Sequence, residues 1–326
     1  MNPRFLLFCG LAVAIGCASN VTTPPVQPLA TQHLVHQPVS ETLVAYDNIA
    51  GDVEEWTVTS TAGTKASVVA SPSFTSNVVA MAGAGSLGSG EEVVLAGASP
   101  MSQTSLYDLS TNALERNNPP VGWGTPVDVA SIVGGGSLTL YADGSYETMP
   151  FDRTAGIHKT ECTSILNTAD AITADRKGNV FIQGTGPDGF AGVVELAQST
   201  QTCSALSLKP QQGTAAGITV NPANGELIVG DNPNSCSGSS DGRLIVYTAP
   251  YSANSGTIRS LSGVGCAGLF RVDSGSTGTT YIFMLDSDGG SPQIDELKCC
   301  IMMFKGSYSG GDPSAPTTLP NSLPNG

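Results

Sequence analysis

The sequence predicts an all-β protein and, within that class, a six-bladed β-propeller made of four-stranded antiparallel blades. Three observations lead to this prediction. Only 12% of the 326 residues are charged, whereas 39 Gly and 21 Pro favour short strands and turns over long helices. A strand–turn–strand pattern recurs along the chain, and its spacing of about 45 residues is the length of one propeller blade. A pair of tandem β-sandwiches is the alternative, although it predicts no such repeat.

Residues 1–16 have the pattern of an export signal peptide, because Arg4 precedes an apolar run that is too short to span a bilayer. At the end of this segment, the four residues Ala14-Ile15-Gly16-Cys17 resemble the lipobox of bacterial lipoproteins. In a lipobox the Cys becomes the lipidated N-terminus of the mature protein. The resemblance implies a membrane anchor at Cys17 in the cell envelope, at the outer membrane if the cell is Gram-negative. Plain cleavage after Gly16, with Cys17 incidental, is the alternative.

The flanks of the chain differ in composition from its middle. Residues 17–41 are polar and rich in proline, which is typical of a flexible tether after the lipidated Cys. Residues 310–326 have the same character and are predicted to form a disordered tail. The propeller is therefore expected to span residues 42–309, room for about six units of blade length.

The clearest repeat aligns Ile172–Ile182 with Ile218–Val229, each a strand, a turn with Asp or Asn and Gly, and a second strand. Weaker copies begin at Val78, Val127 and Leu269. The remaining strands fit inside these units. In the third unit we expect Leu138–Tyr141, Tyr146–Met149 and Ile157–Ile165, and in the fifth unit Leu227–Gly230, Leu244–Tyr247 and Thr257–Leu261.

Two segments carry a family resemblance. Leu43–Asn48 and Leu227–Asn232, each followed by a glycine turn and another apolar strand, resemble blades of NHL and SMP-30-like propellers. The resemblance implies a six-bladed ring, in agreement with the unit count. It also implies an alternative function, that of a calcium-dependent hydrolase or lactonase with a metal in the central channel.

Four aspartates, Asp47, Asp143, Asp231 and Asp286, each follow the predicted second strand of a unit. In an up-and-down blade that loop lies on the same face in every unit, so these carboxylates are expected to share one rim. The interpretation favoured for each is a turn cap that accepts backbone N–H groups. Together they would also make the rim acidic and suited to cations or hydroxylated ligands. Asp286-Ser287-Asp288 resembles the start of a calcium loop, but Leu297 stands where the bidentate Glu belongs.

Besides the lipidated Cys17, six cysteines remain after export, all at or beyond residue 162. An exported chain meets an oxidising compartment, so disulfides are expected. Blade topology favours Cys236 with Cys266, since both lie in loops on the same face. The pair Cys162 and Cys203 is less favoured, because it is predicted to lie on outer strands, which splay apart between neighbouring blades.

The charge balance bears on function. With 13 basic against 27 acidic residues, the net charge is −14, which argues against a nucleic-acid partner. The motifs Gly83–Gly88 and Gly238–Gly242 each lead into a predicted strand, whereas nucleotide sites and nucleophile elbows need a helix there. We therefore expect an extracytoplasmic binding or scaffolding module for a protein or carbohydrate ligand, with no cofactor and with calcium as the alternative.

Overall fold

The computed structural model describes the strands between residues 41 and 118, and then, with short gaps, residues 123–261. It also describes the strands from residue 267 to residue 318. Contacts divide the chain into the units Met1–Gln37 and Pro38–Gly326, and every described residue belongs to the second. Among the described residues all regular structure is β, which confirms the predicted class.

The first half of the described chain forms three antiparallel sheets, and in each of them neighbours in sequence are neighbours in space. The first sheet is β1 (Glu41–Asp47), β2 (Asp52–Val58) and β3 (Ser67–Ala70). The second is β4 (Asn77–Gly83), β5 (Glu92–Ser99), β6 (Gln103–Asp108) and β7 (Ala113–Asn118). The third is β8 (Pro126–Ser131), β9 (Gly136–Tyr141), β10 (Tyr146–Pro150) and β11 (Ile157–Lys159).

Three further sheets follow with the same connectivity. The fourth is β12 (Thr168–Ala174), β13 (Val180–Thr185), β14 (Ala191–Ala197) and β15 (Thr202–Ala205). The fifth is β16 (Gly213–Val220), β17 (Leu227–Pro233), β18 (Gly242–Tyr247) and β19 (Gly256–Leu261). The sixth is β20 (Ala267–Ser274), β21 (Thr280–Asp286), β22 (Ile301–Lys305) and β23 (Thr317–Thr318).

These strands match the predicted repeat closely. The two copies at Ile172 and Ile218 form the hairpins β12–β13 and β16–β17, and strands β4, β8 and β20 cover the three weaker copies. Both motifs predicted to lead into strands do so, since β5 and β18 follow them. One predicted strand is too long: β11 ends at Lys159, and residues 161–165 form turns. Strand β23 lies inside the segment 310–326, for which the sequence predicts a disordered tail.

The apolar core lies between consecutive sheets. Leu138, Ile172 and Ile182 belong to the cluster between the third and fourth sheets, and Phe181 and Ile218 to the one between the fourth and fifth. The first strands contact one another in chain order, from β4 through β8, β12 and β16 to β20. The third and fourth sheets thus each bury both faces by sharing them with the sheets before and after.

Each of these five first strands breaks register with the second strand of its own sheet. A register break frees backbone groups from the ladder, and buried groups need new partners. The buried carboxylate of Asp128 accepts the N–H of Ile172 at 2.9 Å, and Gln183 accepts the N–H of Gly217 at 2.9 Å. Buried polar side chains therefore join the third sheet to the fourth and the fourth to the fifth.

Candidate functional site

A cleft of about 280 Å³ opens between the third and fourth sheets. Its floor continues the core between these sheets, because Leu138, Tyr146 and Val180 belong both to the core cluster and to the cleft lining. Ile132 and Ala174 extend the same apolar surface. The cleft is thus a place where the two sheets separate enough to leave part of their shared apolar face open.

Strands β10 and β11 of the third sheet form one wall of the cleft. Lys159 is paired with Tyr146, and Ile157 with Thr148. Directly paired residues project from the same face, so all four line the cleft together. Ile157 is 55% exposed, unusually open for a large aliphatic side chain in a strand. Burial, and next the negative charge of Glu161, raise the pKa of the Tyr146 hydroxyl, which keeps it protonated as a donor.

The turn between β12 and β13 forms part of the opposite wall. Asp175 organises it, because Oδ1 accepts the backbone N–H of Lys177 at 2.8 Å and of Asn179 at 2.9 Å. Its Oδ2 accepts the side-chain amide of Asn179 at 2.8 Å. Gly178, with a φ of +83°, supplies the left-handed residue that the turn requires. This turn is the one with Asp and Gly that the sequence repeat predicts, and it places Gly178 in the lining of the cleft.

Two glutamines from the turn between β14 and β15 complete this wall. The backbone N–H of Gln198 donates to Oδ1 of Asn179 at 3.0 Å, which ties the two turns together. The side-chain amide of Gln201 donates to the carbonyl of Gln198 at 2.9 Å and to its Oε1 at 3.1 Å. The wall therefore presents amide groups whose positions are set by a hydrogen-bond network.

A disulfide between Cys162 and Cys203 joins the two walls, with the Cα atoms 5.3 Å apart. Cys162 follows Lys159 by three residues, and Cys203 follows Gln201 by two. The sequence ranked this pair below Cys236 with Cys266, and that ranking rested on a wrong placement of Cys162. Because β11 ends early, the turns after it carry Cys162 off the outer strand and towards β15. Cys236 and Cys266 lie outside the described residues.

The mouth of the cleft has an excess of basic side chains. Lys159 lines it and forms a surface ion pair with Glu161, with 3.6 Å between Nζ and Oε1. Arg176 and Lys177 are exposed and belong to the turn that contributes Gly178. In a chain of net charge −14, three cations against the two carboxylates of Glu161 and Asp175 leave this region with a small local excess of positive charge.

A second polar cluster lies on the opposite face of the third sheet. Trp123 stacks on His158 with ring centroids 4.5 Å apart, and both rings contact the edge or face of Tyr141. The Tyr141 hydroxyl donates to Oε2 of the buried Glu147 at 3.3 Å. Among the described residues, the buried Nε2 of His158 has no hydrogen-bond partner. Alternation along β11 thus sends His158 to this face and its neighbours Ile157 and Lys159 to the cleft.

No protein-family model matches the chain, and no curated protein is significantly similar to it. The chain is an all-β protein of small antiparallel sheets. Among its described residues, no helix is long and apolar enough to cross a membrane. The same residues contain no group of three His, Cys, Asp or Glu side chains that could hold a metal ion.

Two of the predicted rim aspartates have described side chains, and they behave differently. Asp143 lies in the β9–β10 turn, where its carboxylate accepts the backbone N–H of Ser145 at 2.9 Å and the hydroxyl at 2.6 Å. It is a turn cap, as expected. Asp231 lies within β17 instead of after it, is completely buried, and forms an ion pair with Arg243 on β18. The structure corrects the predicted position of Asp231, because β17 continues to Pro233.

The other predicted site residues are described only in part or not at all. Asp47 ends β1, which is the first described strand of its sheet, and Asp286 ends β21, the second strand of the sixth sheet. Their side chains, and all of Cys17 and Asp288, lie outside the described residues. A shared acidic rim therefore stays a prediction.

Sequence reasoning missed the cleft because its lining comes from two repeat units. One usable signal is the alternation in Ile157-His158-Lys159, which places an aliphatic and a cationic side chain on one face of a short outer strand. Ile157 and Lys159 lie across the cleft from Gln198 and Gln201 only because of how the two sheets pack. No local sequence pattern encodes that packing.

Proposed function

We propose that the six sheets are the blades of a six-bladed β-propeller. The contacts of the first strands in chain order, and cores shared between consecutive sheets, support this proposal. The four-stranded meander of five of the sheets also fits blade architecture. An experimental structure that paired the first sheet with the sixth around a closed ring would establish it, whereas two separate sandwiches would refute it.

The protein acts as a ligand-binding module of the cell envelope, held to the membrane through a lipid on Cys17. The signal peptide and lipobox patterns support the location. The proposed ligand-binding site is the cleft between the third and fourth sheets, because it combines an open apolar floor with positioned polar groups. Ligand sites are typically built in this way, from an apolar surface with a few fixed donors and acceptors.

The alternative of a calcium-dependent hydrolase has less support. Both described carboxylates of the predicted rim already have strong partners, Ser145 for Asp143 and Arg243 for Asp231. A carboxylate in a buried ion pair is a poor calcium ligand, since binding would leave its arginine unpaired. The binding module is therefore the function proposed here.

A fragment screen followed by methyl NMR tests this function on the full-length protein. With isoleucine δ1-methyl labelling, Ile132 and Ile157 report on the cleft, and the 44% exposed Ile258 of β19 serves as a matched control. Fragments should include neutral sugars, aliphatic acids, amides and short peptides. We expect saturable shifts of Ile132 and Ile157 without a shift of Ile258. If no fragment in any class shifts the two cleft methyls, the proposed function is wrong.

A further inference from the structure

The chemistry of the cleft restricts what it can bind, and this inference rests on the proposed function. The apolar lining of the cleft includes aliphatic carbon from Ile132, Leu138, Ile157 and Val180, of which Ile157 is the most exposed. Burying such a surface favours an aliphatic group over a sugar, whose hydroxyls would need many partners there. The volume of about 280 Å³ equals about nine water molecules, which suits a ligand of roughly a dozen non-hydrogen atoms.

The positive charge of Lys159 favours a ligand with a negatively charged head group. Lys159 lines the cleft, and its present partner Glu161 lies 3.6 Å away with both side chains about a third exposed. Such surface pairs contribute little free energy, so Lys159 can exchange Glu161 for another carboxylate. Arg176 and Lys177 stand in the turn beside Gly178, and because they outnumber the single carboxylate of that turn, Asp175, they add to the positive potential near the cleft.

The polar groups of the wall also fit a carboxylic acid with an adjacent amide. Gln198 and Gln201 present side-chain amides at the cleft, and Thr148 presents a hydroxyl. Amide and hydroxyl groups can both donate to a carboxylate oxygen and accept from a ligand N–H. We propose that the cleft binds an aliphatic group that carries a free carboxylate, with Lys159 as the charge partner. That chemistry occurs in small aliphatic acids and at the C-terminus of a peptide ending in an aliphatic residue.

The test compares N-acetyl-L-leucine with its uncharged amide on the full-length, isoleucine-labelled protein. The acid should shift the methyls of Ile132 and Ile157 and bind at least five times more tightly than the amide. Lys159→Met keeps most of the aliphatic stem and removes the charge, so it should abolish the preference while the amide binds as before. Arg259→Met, next to the exposed Ile258 on the outer strand β19, is the matched control and should change nothing.

A further variant keeps the proposal testable should Lys159→Met fold poorly. Glu161→Gln removes the competing carboxylate and should tighten binding of the acid about twofold to fivefold without affecting the amide. Equal binding of acid and amide to the wild type, or a preference that survives Lys159→Met, would overturn the proposed ligand class while leaving the cleft as a binding site. If neither compound nor any other fragment shifts the cleft methyls, the proposed function fails as well.

The two sources of this chemistry are separated by two further titrations. One uses 4-methylpentanoate, and the other a short peptide with a C-terminal leucine. Tighter binding of the peptide than of either small acid assigns the ligand to a peptide terminus, since contacts beyond the carboxylate must then contribute. Equal or tighter binding of 4-methylpentanoate assigns it to a free aliphatic acid. Either result supports the proposed ligand class.

Discussion

At the scale of single residues, four aspartates have two different structural roles. Asp143 and Asp175 each hold a turn by accepting neighbouring N–H groups. Asp128 and Asp231 are completely buried, one bound to the backbone of the next sheet and the other to Arg243. Asp143 and Asp175 lie in turns, whereas Asp128 and Asp231 lie inside the strands β8 and β17. Whether an aspartate caps a turn or anchors the core is therefore decided by where the strand stops.

This difference predicts unequal costs for two substitutions. Asp143→Ala should lower the free energy of unfolding by about 1 kcal/mol, because it removes two partly buried turn hydrogen bonds from Ser145. Asp231→Ala should lower the free energy of unfolding by about 3 kcal/mol. It leaves the guanidinium of Arg243 without its ion-pair partner, and that side chain is only 17% exposed. Denaturant titration with and without millimolar calcium measures both.

The matched control for Asp231→Ala is the double variant with Arg243→Met, which should recover much of the lost stability. Neither single variant should respond to calcium. A calcium-induced rise of many degrees in the melting temperature, lost on changing Asp47 or Asp231, would favour the metal-dependent enzyme instead. A rise lost only when Asp286 and Asp288 are changed together would place an ion at that loop.

At the scale of elements, neighbouring sheets are joined in three ways. They share apolar faces, they exchange hydrogen bonds from buried side chains such as Gln183, and the third and fourth are also linked by a disulfide. The disulfide stands next to the cleft, since Cys162 and Cys203 follow lining residues on either wall. The same bond therefore stabilises the fold and limits how far the walls can separate.

Removing the disulfide should therefore affect both stability and binding. Its sequence separation of 41 residues corresponds to about 4 kcal/mol in the chain-entropy account, so the double variant of Cys162 and Cys203 to Ala should lose about that much. Cleft ligands should bind it more weakly, because its walls are less well held. Under a strong dithiol reductant the wild type should unfold like the variant.

Non-reducing peptide mapping checks the bond directly. It should recover Cys162 and Cys203 in one linked fragment and, if the topological prediction is right, Cys236 and Cys266 in another. Alkylated free thiols at Cys162 and Cys203 in protein from oxidising conditions would contradict the structure. Free thiols at Cys236 and Cys266 would contradict only the sequence-based pairing.

At the scale of the whole molecule, the proposed anchor and tether would hold the sheets near a membrane surface. About 25 residues, 17–41, separate Cys17 from the first predicted blade, and their proline-rich composition favours an extended spacer. A module held in this way would meet ligands in the envelope at a limited distance from the membrane.

The anchor makes a separate prediction. Cys17→Ala should leave the protein either uncleaved or soluble, in each case without an acylated N-terminus. Membrane fractionation and mass spectrometry of the N-terminal peptide measure this. Ser19→Ala is a suitable control, because it changes a small residue beside the lipobox and leaves Cys17 in place. A wild-type protein that is soluble and begins at a residue other than Cys17 would disprove the anchor.

The sequence by itself was sufficient for the β class, for the repeat and for most strand positions. These depend on local patterns, since turns such as Asp143-Gly144 and alternating apolar residues act within a few positions of one another. The prediction failed where length was set by distant contacts. Neither the early end of β11 nor the continuation of β17 through Asp231 has a local signal.

Only the tertiary structure decided which residues form the cleft and which cysteines meet there. Ile157 and Lys159 are brought opposite Gln198 and Gln201 by the packing of two sheets, and the turns after β11 then carry Cys162 to Cys203. These pairs are about 40 residues apart in the chain, and their proximity depends on how two faces fit together. A pattern confined to one repeat unit contains no information about that fit, because it is a property of the interface between units.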